Sequence, residues 1–123
     1  MTERIELDFS ASWDKIEQKF GNLLATAEGD DLFDILAAGG YALLAIAQEN
    51  APVDTGFLRV SGQLQRDGDV PVVGFAAEYS AHQEFGTSKM AAQPYLRPAM
   101  QETDTIGEAM SKIHKRKIDE ASA

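Results

Sequence analysis

Asp54-Thr55-Gly56 is the triplet of this chain whose residue types and order come nearest to catalytic chemistry. Two such carboxylates meeting across a dimer axis would share one proton and activate water for attack on a peptide bond. The same residues also make a plain turn, in which Gly56 takes a positive φ, Asp54 closes an Asx-type turn and Thr55 adds a hydroxyl contact. The imidazoles are His82 and His114, and His82-x-Glu84 is the nearest approach to a metal pair. It lacks a third ligand and reads as the polar face of a short helix. No Ser/His/Asp set is legible. Neither Gly39-Gly40 nor Gly86 has the strand-glycine-helix setting of a phosphate loop. No cofactor and no metal are expected.

Asp-Thr-Gly is the catalytic triplet of aspartic proteases, and retroviral-type enzymes carry one triplet per subunit of about this length. Val72-Val73-Gly74 imitates the hydrophobic-hydrophobic-Gly element of that family. The context points elsewhere. The triplet follows a helix broken by Pro52 rather than an apolar strand, and the gap to Val72 is too short for the intervening hairpins and flap. The expectation is a protein that is not an enzyme.

The chain has 123 residues, 44% hydrophobic and 25% charged, enough to bury one core without staples. One domain is expected over 1–118, with 119–123 as a frayed tail. There is no cysteine, which excludes disulfides and thiolate metal sites and favours a cytoplasmic site of synthesis. The start has no basic and apolar leader, and no apolar stretch is long enough for a membrane span. The net charge is -9, with most of the acid excess in the first 50 residues, so the surface repels nucleic acid and anionic lipid. Lys112, Lys115, Arg116 and Lys117 are the exception. They read as cations offsetting a helix macrodipole, with a nucleic-acid or lipid contact as the alternative.

The elements that must position these residues follow from periodicity. Ile5, Leu7 and Phe9 alternate with Glu6 and Asp8 and predict a short edge strand. Ser10 or Ser12 caps a helix over about 12–27 carrying Trp13, Ile16, Phe20, Leu23 and Leu24. A second helix, about 31–50, is apolar on more than one face, so it is sandwiched in the core or covered by a neighbouring subunit. Its Gly39-Gly40 pair calls for a close backbone approach or a kink. Pro52 ends it. Leu58 to Gln65 and Val70 to Ala77 predict two strands joined through Asp67-Gly68. Tyr79 to Phe85 reads as one helical turn, and Gly86 to Gln93 as an exposed loop with an apolar tip at Met90-Ala91-Ala92. Pro94 and Pro98 suit the start of a last helix with Leu96, Met100, Ile106, Met110 and Ile113 on its apolar stripe. The fold class is α+β, a small antiparallel sheet of the N-terminal strand plus the central hairpin, packed against two to three helices.

Three ordered blocks carry a resemblance. Ala51-Pro52-Val53-Asp54-Thr55-Gly56 with Leu58-Arg59, then Tyr79 with Glu84-Phe85-Gly86-Thr87, then Ala92-Gln93-Pro94-Tyr95-Leu96-Arg97-Pro98-Ala99 together resemble a family of long-tailed bacteriophage neck proteins. Members are tail-completion, head-to-tail joining or minor tail components. The likeness covers about 50–99. Tyr95 stands where Phe is commoner, and Gly62 where the family tends toward an aliphatic residue. The resemblance implies a structural virion protein of a phage or prophage, located in the neck or tail and made in the host cytoplasm. It implies self-association into a hexameric ring, contacts with other neck and tail proteins, DNA passing through without specific binding, and no membrane. Pro52, Asp54, Thr55, Gly56 and Gly86 are then structural turn residues. Arg59, Glu84, Thr87, Lys89, Met90, Tyr95 and Arg97 are candidates for a subunit interface. Two readings from other classes stand beside it, a retroviral-type aspartic protease dimer using Asp54-Thr55-Gly56 and a small cytoplasmic protein-binding module.

Overall fold

Asp8 accepts the N–H of Ser10 at 2.9 Å on its Oδ1, at the beginning of helix α1 (Ser10–Leu24). That hydrogen bond holds the Asp8 carboxyl below its ordinary range. The cap is therefore Asp8, two residues ahead of the earliest serine expected. The computed structural model describes residues 7–24, 27, 29–51, 57–77, 79–89 and 91–121. After α1 come α2 (Gly29–Asn50), the short α3 (Phe57–Val60), strands β1 (Gly62–Asp67) and β2 (Val70–Phe75), α4 (Ser80–Phe85), α5 (Leu96–Met100) and α6 (Thr103–Ala121). The fold is α+β, mostly helical, with a small antiparallel sheet against the helices. Among the described residues no helix is long and apolar enough to cross a membrane.

Helix α2 is the spine. Its Ile35 packs with Ile16 of α1 and with Ile106 and Met110 of α6, and Phe9, Trp13 and Phe20 close the edge of this cluster. Ala47, beyond Leu44, joins Ala51, Leu58, Ala77, Tyr95 and Ala99 in a second cluster at the other end. Each fully buried aliphatic side chain contributes about 1.5–3 kcal/mol. Of the two settings expected for α2, the structure has the first, a helix sandwiched within its own chain. The side that stays open carries Asp34, Tyr41, Ala45 and Glu49.

The Gly39-Gly40 pair allows two close approaches. A Cβ on Gly39 would lie 2.8 Å from Met110 Cγ and Sδ, and one on Gly40 would lie 2.6 Å from Leu64 Cδ1. Thus α6 seats on one side of the pair and β1 on the other, with no proline or kink required.

Strands β1 and β2 pair antiparallel with Gly62 opposite Phe75, Leu64 opposite Val73 and Asp67 opposite Val70. The two turn residues are Gly68, at φ 62°, and Asp69, one position later than Asp67-Gly68. Three further expectations need correction. The sheet has two strands among the described residues, because Leu7–Phe9 makes no ladder and instead leads into α1, where Phe9 O accepts the N–H of Trp13. The remainder of that expected strand, with Ile5, lies outside the described residues. Leu58–Val60 is helical rather than extended, since burying Leu58 beside Ala47 turns the chain inward before β1. The last helix is two, because Gln101 and Glu102 bond back three residues to Pro98 and Ala99 and close α5 before Thr103. Helix α6 runs through Ala121, so Asp119–Ala121 is helical.

Gly39→Val is expected to destabilise the fold by about 1–3 kcal/mol in denaturant melts, because Met110 and Ile106 are enclosed and must both shift. This outweighs the helix preference of about 1 kcal/mol that disfavours glycine. Gly74→Ala, whose new methyl meets nothing within 4 Å, is expected to stay within about 1 kcal/mol of wild type.

Candidate functional site

Of the sequence candidates, Glu84, Tyr95 and Arg97 come together, and they do so at the base of the loop from Gly86 to Pro94. Glu84 is 2% exposed. Its Oε1 accepts the backbone N–H groups of Tyr95 at 3.2 Å and Leu96 at 2.6 Å. Its Oε2 accepts Arg97 N–H at 3.3 Å and Arg97 Nε at 2.7 Å. Four donors therefore surround a carboxylate that offers about four acceptor positions. The backbone donors belong to the start of α5, where N–H groups have no intrahelical partner. A side chain from α4 thus closes the N-terminus of α5.

Arg97 returns the contact. Its Nη2 donates to the backbone oxygen of Glu84 at 2.5 Å, one of the carbonyls left open at the end of α4, and its guanidinium carbon lies 4.8 Å from the Phe85 ring centroid. A buried carboxylate is costly unless paired and hydrogen-bonded, and here it is both.

Tyr95 fastens the clamp to the rest of the fold. Its hydroxyl donates to Ser80 O at 3.1 Å, its carbonyl accepts Asn50 Nδ2 at 3.3 Å from the end of α2, and its ring meets Phe75 of β2 edge-on at 4.9 Å. Burial, reinforced by the charge of Glu84 and opposed by the Ser80 hydrogen bond, pushes the phenol up to about 12. It is 2% exposed, so its role lies inside the chain.

The loop is tied at both ends. Gly86, at φ 76°, donates its N–H to His82 O at 2.7 Å, and Gln93 N–H donates to Gln83 O at 2.8 Å. Gly86 is thus a turn residue in a conformation that side chains rarely adopt. Between these ties Thr87, Ser88, Lys89, Ala91 and Ala92 are all exposed, Thr87 forms a β-bridge, and Lys89 N–H donates to Thr87 Oγ1. Met90 lies outside the described residues. The result is an exposed segment on a fixed base, the usual arrangement for a binding loop.

Arg59 sits elsewhere. Its Nε donates to Gln48 O at 2.8 Å, and Gln48 Nε2 donates to Arg59 O at 3.2 Å, so Arg59 closes the C-terminus of α2. Pro52, Asp54, Thr55 and Gly56 lie outside the described residues. The segment that holds them is preceded by α2 and followed by α3, so helices flank the Asp-Thr-Gly triplet.

The sequence reading had no signal for one further feature, a groove of about 1120 Å³ of mixed polarity, lined by Trp13, Leu43, Val72 and Met110 together with Gln63, Gln65 and Ser80 among others. The charged side chains along it are Arg66, Asp67 and Glu84, and Glu84 is already saturated. Among the described residues no group of three or more His, Cys, Asp or Glu side chains could hold a metal ion. The arrangement holds the loop between α4 and α5.

Glu84→Ala is expected to destabilise the fold by about 1–3 kcal/mol in denaturant melts, since the N–H groups at the start of α5 lose their acceptor, while the half-exposed Arg97 keeps its bond to the residue 84 carbonyl. Tyr95→Phe is expected to cost about 0.5–1.5 kcal/mol at neutral pH through the lost Ser80 bond. It also isolates a pH dependence. The unfolded phenol loses its proton near 10.0 and the folded one near 12, so the phenol's stabilisation is complete below pH 10 and is lost as pH rises towards 12. The stability difference between wild type and Tyr95→Phe is therefore expected to shrink over that window in parallel melts.

The chain matches no protein-family model, no curated protein and no solved structure.

Proposed function

We propose that this protein is a non-enzymatic structural subunit of a tailed-bacteriophage neck, acting in head-to-tail joining or tail completion as part of a hexameric ring around the DNA channel. The support is physical as well as motif-based. The second and third blocks of the resemblance meet in the Glu84–Arg97 clamp, and this is the observation that carries the reading. Residues separated in sequence by a loop are joined by an ion pair whose carboxylate is buried and fully hydrogen-bonded, so the blocks maintain one geometry. Arg59 of the first block closes the helix that supports them.

The geometry fits a mechanical role. A loop of exposed residues on a base tied to α2 and β2 transmits force from a docked partner into the spine of the domain. The acid excess of the surface leaves DNA free to slide past. Its site of action is the virion neck, after synthesis in the host cytoplasm, and its partners are further copies and adjacent neck and tail proteins.

Deleting the coding sequence from the genome that carries it is expected to leave filled heads and separate tails in negative-stain images, and to abolish infectious particles. Complementation in trans is expected to restore joining. Normal joined particles from the deletion strain would overturn the proposal.

A further inference from the structure

The two ends of the β1–β2 hairpin are held very differently. At its base Leu64 and Val73 lie against Gly40 of α2, and Phe75 meets the Tyr95 ring. Towards the tip, Gln65 to Val70 are all exposed. The bond from Ala76 N–H to Ser61 O sets the phase of the ladder, so its hydrogen-bonded pairs are Gln63 with Gly74, Gln65 with Val72 and Asp67 with Val70. Leu64, Arg66, Pro71 and Val73 therefore share the face turned to α2.

Among the described residues, Arg66 alone joins the tip to another element through a charged or ring contact. Its guanidinium carbon lies 4.1 Å from the Phe33 ring centroid, and its Nη2 lies 3.7 Å from Asp30 Oδ1, both near the start of α2. The same side chain braces the turn, with Nε donating to Gly68 O at 2.8 Å and Nη2 standing 3.9 Å from Asp69 Oδ1. Both ion pairs are long and the arginine is half-exposed, so salt screens them readily. Arg66, Asp67, Val70 and Pro71 of the tip also line the groove, together with Leu36 and Gly39 of α2. One wall of the groove thus depends on a single exposed side chain.

We propose that the hairpin tip is a salt-sensitive lid over this groove, hinged between the Gln63–Gly74 and Gln65–Val72 pairs and latched to α2 by Arg66. Latched, the tip closes the groove beside Phe33 and Leu36. Released, it opens that end while the hairpin base stays seated on Gly40 and Tyr95. The latch needs a planar cation, because a guanidinium stacks on a ring face where an ammonium acts as a point charge.

Amide hydrogen exchange and thiol labelling of the full chain test the lid together. The chain has no cysteine, so Leu36→Cys places one thiol on the groove wall. Arg66→Gln is the latch variant, and Lys112→Gln, at an exposed position on α6, is the control of equal charge change. At about 0.1 M salt, Arg66→Gln is expected to quicken exchange of the Gln65 and Val72 N–H groups at least about fivefold, and that of Gln63 and Gly74 less than about twofold. The core amides of Ile35 and Met110 are expected to be unchanged, and the thiol to be labelled by a maleimide faster in step with the tip. Raising salt to about 1 M is expected to move the wild type towards the variant and to leave the variant as it is. Arg66→Lys is expected to fall between them, and Lys112→Gln to match the wild type. Equal tip exchange in wild type and Arg66→Gln, quickening that spreads to Ile35 and Met110, or a Lys112→Gln effect of the same size would each overturn the proposal. So would a tip that quickens while thiol labelling does not, since the hairpin would then fray without gating the groove.

Discussion

Short helices are expensive in unpaired backbone, and that constraint governs this structure. In an α-helix the first four N–H groups and the last four carbonyls have no intrahelical partner, so pieces as short as α3, α4 and α5 have almost no internal ladder. They persist because side chains close their ends. Glu84 takes three backbone N–H groups at the start of α5, Arg97 covers a carbonyl at the end of α4, and Arg59 covers one at the end of α2. Charged residues that read from sequence as surface partners are used in the chain's own backbone satisfaction. Their cost of burial is met by geometry, since each bond is charge-assisted and aimed at a fixed peptide group.

Helix α2 makes this economy possible. Its abundance of Ala and Gly lets several elements approach at once: α6 at Gly39, β1 at Gly40, and α5 and the clamp near Ala47 and Asn50. The two hydrophobic clusters share this helix and little else, so its stiffness couples them. The aromatic residues are concentrated at the joints. Phe20 lies where α1 meets α6, and Phe75 and Tyr95 lie where the sheet meets the clamp.

The long elements were legible because their periodicity is strong. Trp13, Ile16 and Phe20 define the buried face of α1, and Asp67-Gly68-Asp69 between apolar runs marks the hairpin within one residue. What was missed is local and of one kind. Phe57-Leu58-Arg59-Val60 has strand-forming composition, and its helical turn is imposed by Leu58 entering the core and Arg59 reaching Gln48. Thr103-Asp104 carried an available signal for a new helix start, hidden because Met100 and Ile106 fit one continuous stripe. The membership of the site was visible in Glu84, Tyr95 and Arg97, but its direction was not. A sequence shows that a glutamate and an arginine are poised to pair, and it does not show that the glutamate is buried under a peptide turn.

Both ends of the Gly86–Pro94 segment are fixed from α4, Gly86 through His82 O and Gln93 through Gln83 O, so the domain sets the span that the loop must close. Closure entropy grows slowly, with each doubling of a flexible loop costing only about 0.6 kcal/mol. Lengthening the loop beyond the Thr87 bridge is therefore cheap in closure entropy. The clamp sets a frame within which the length of the loop can vary.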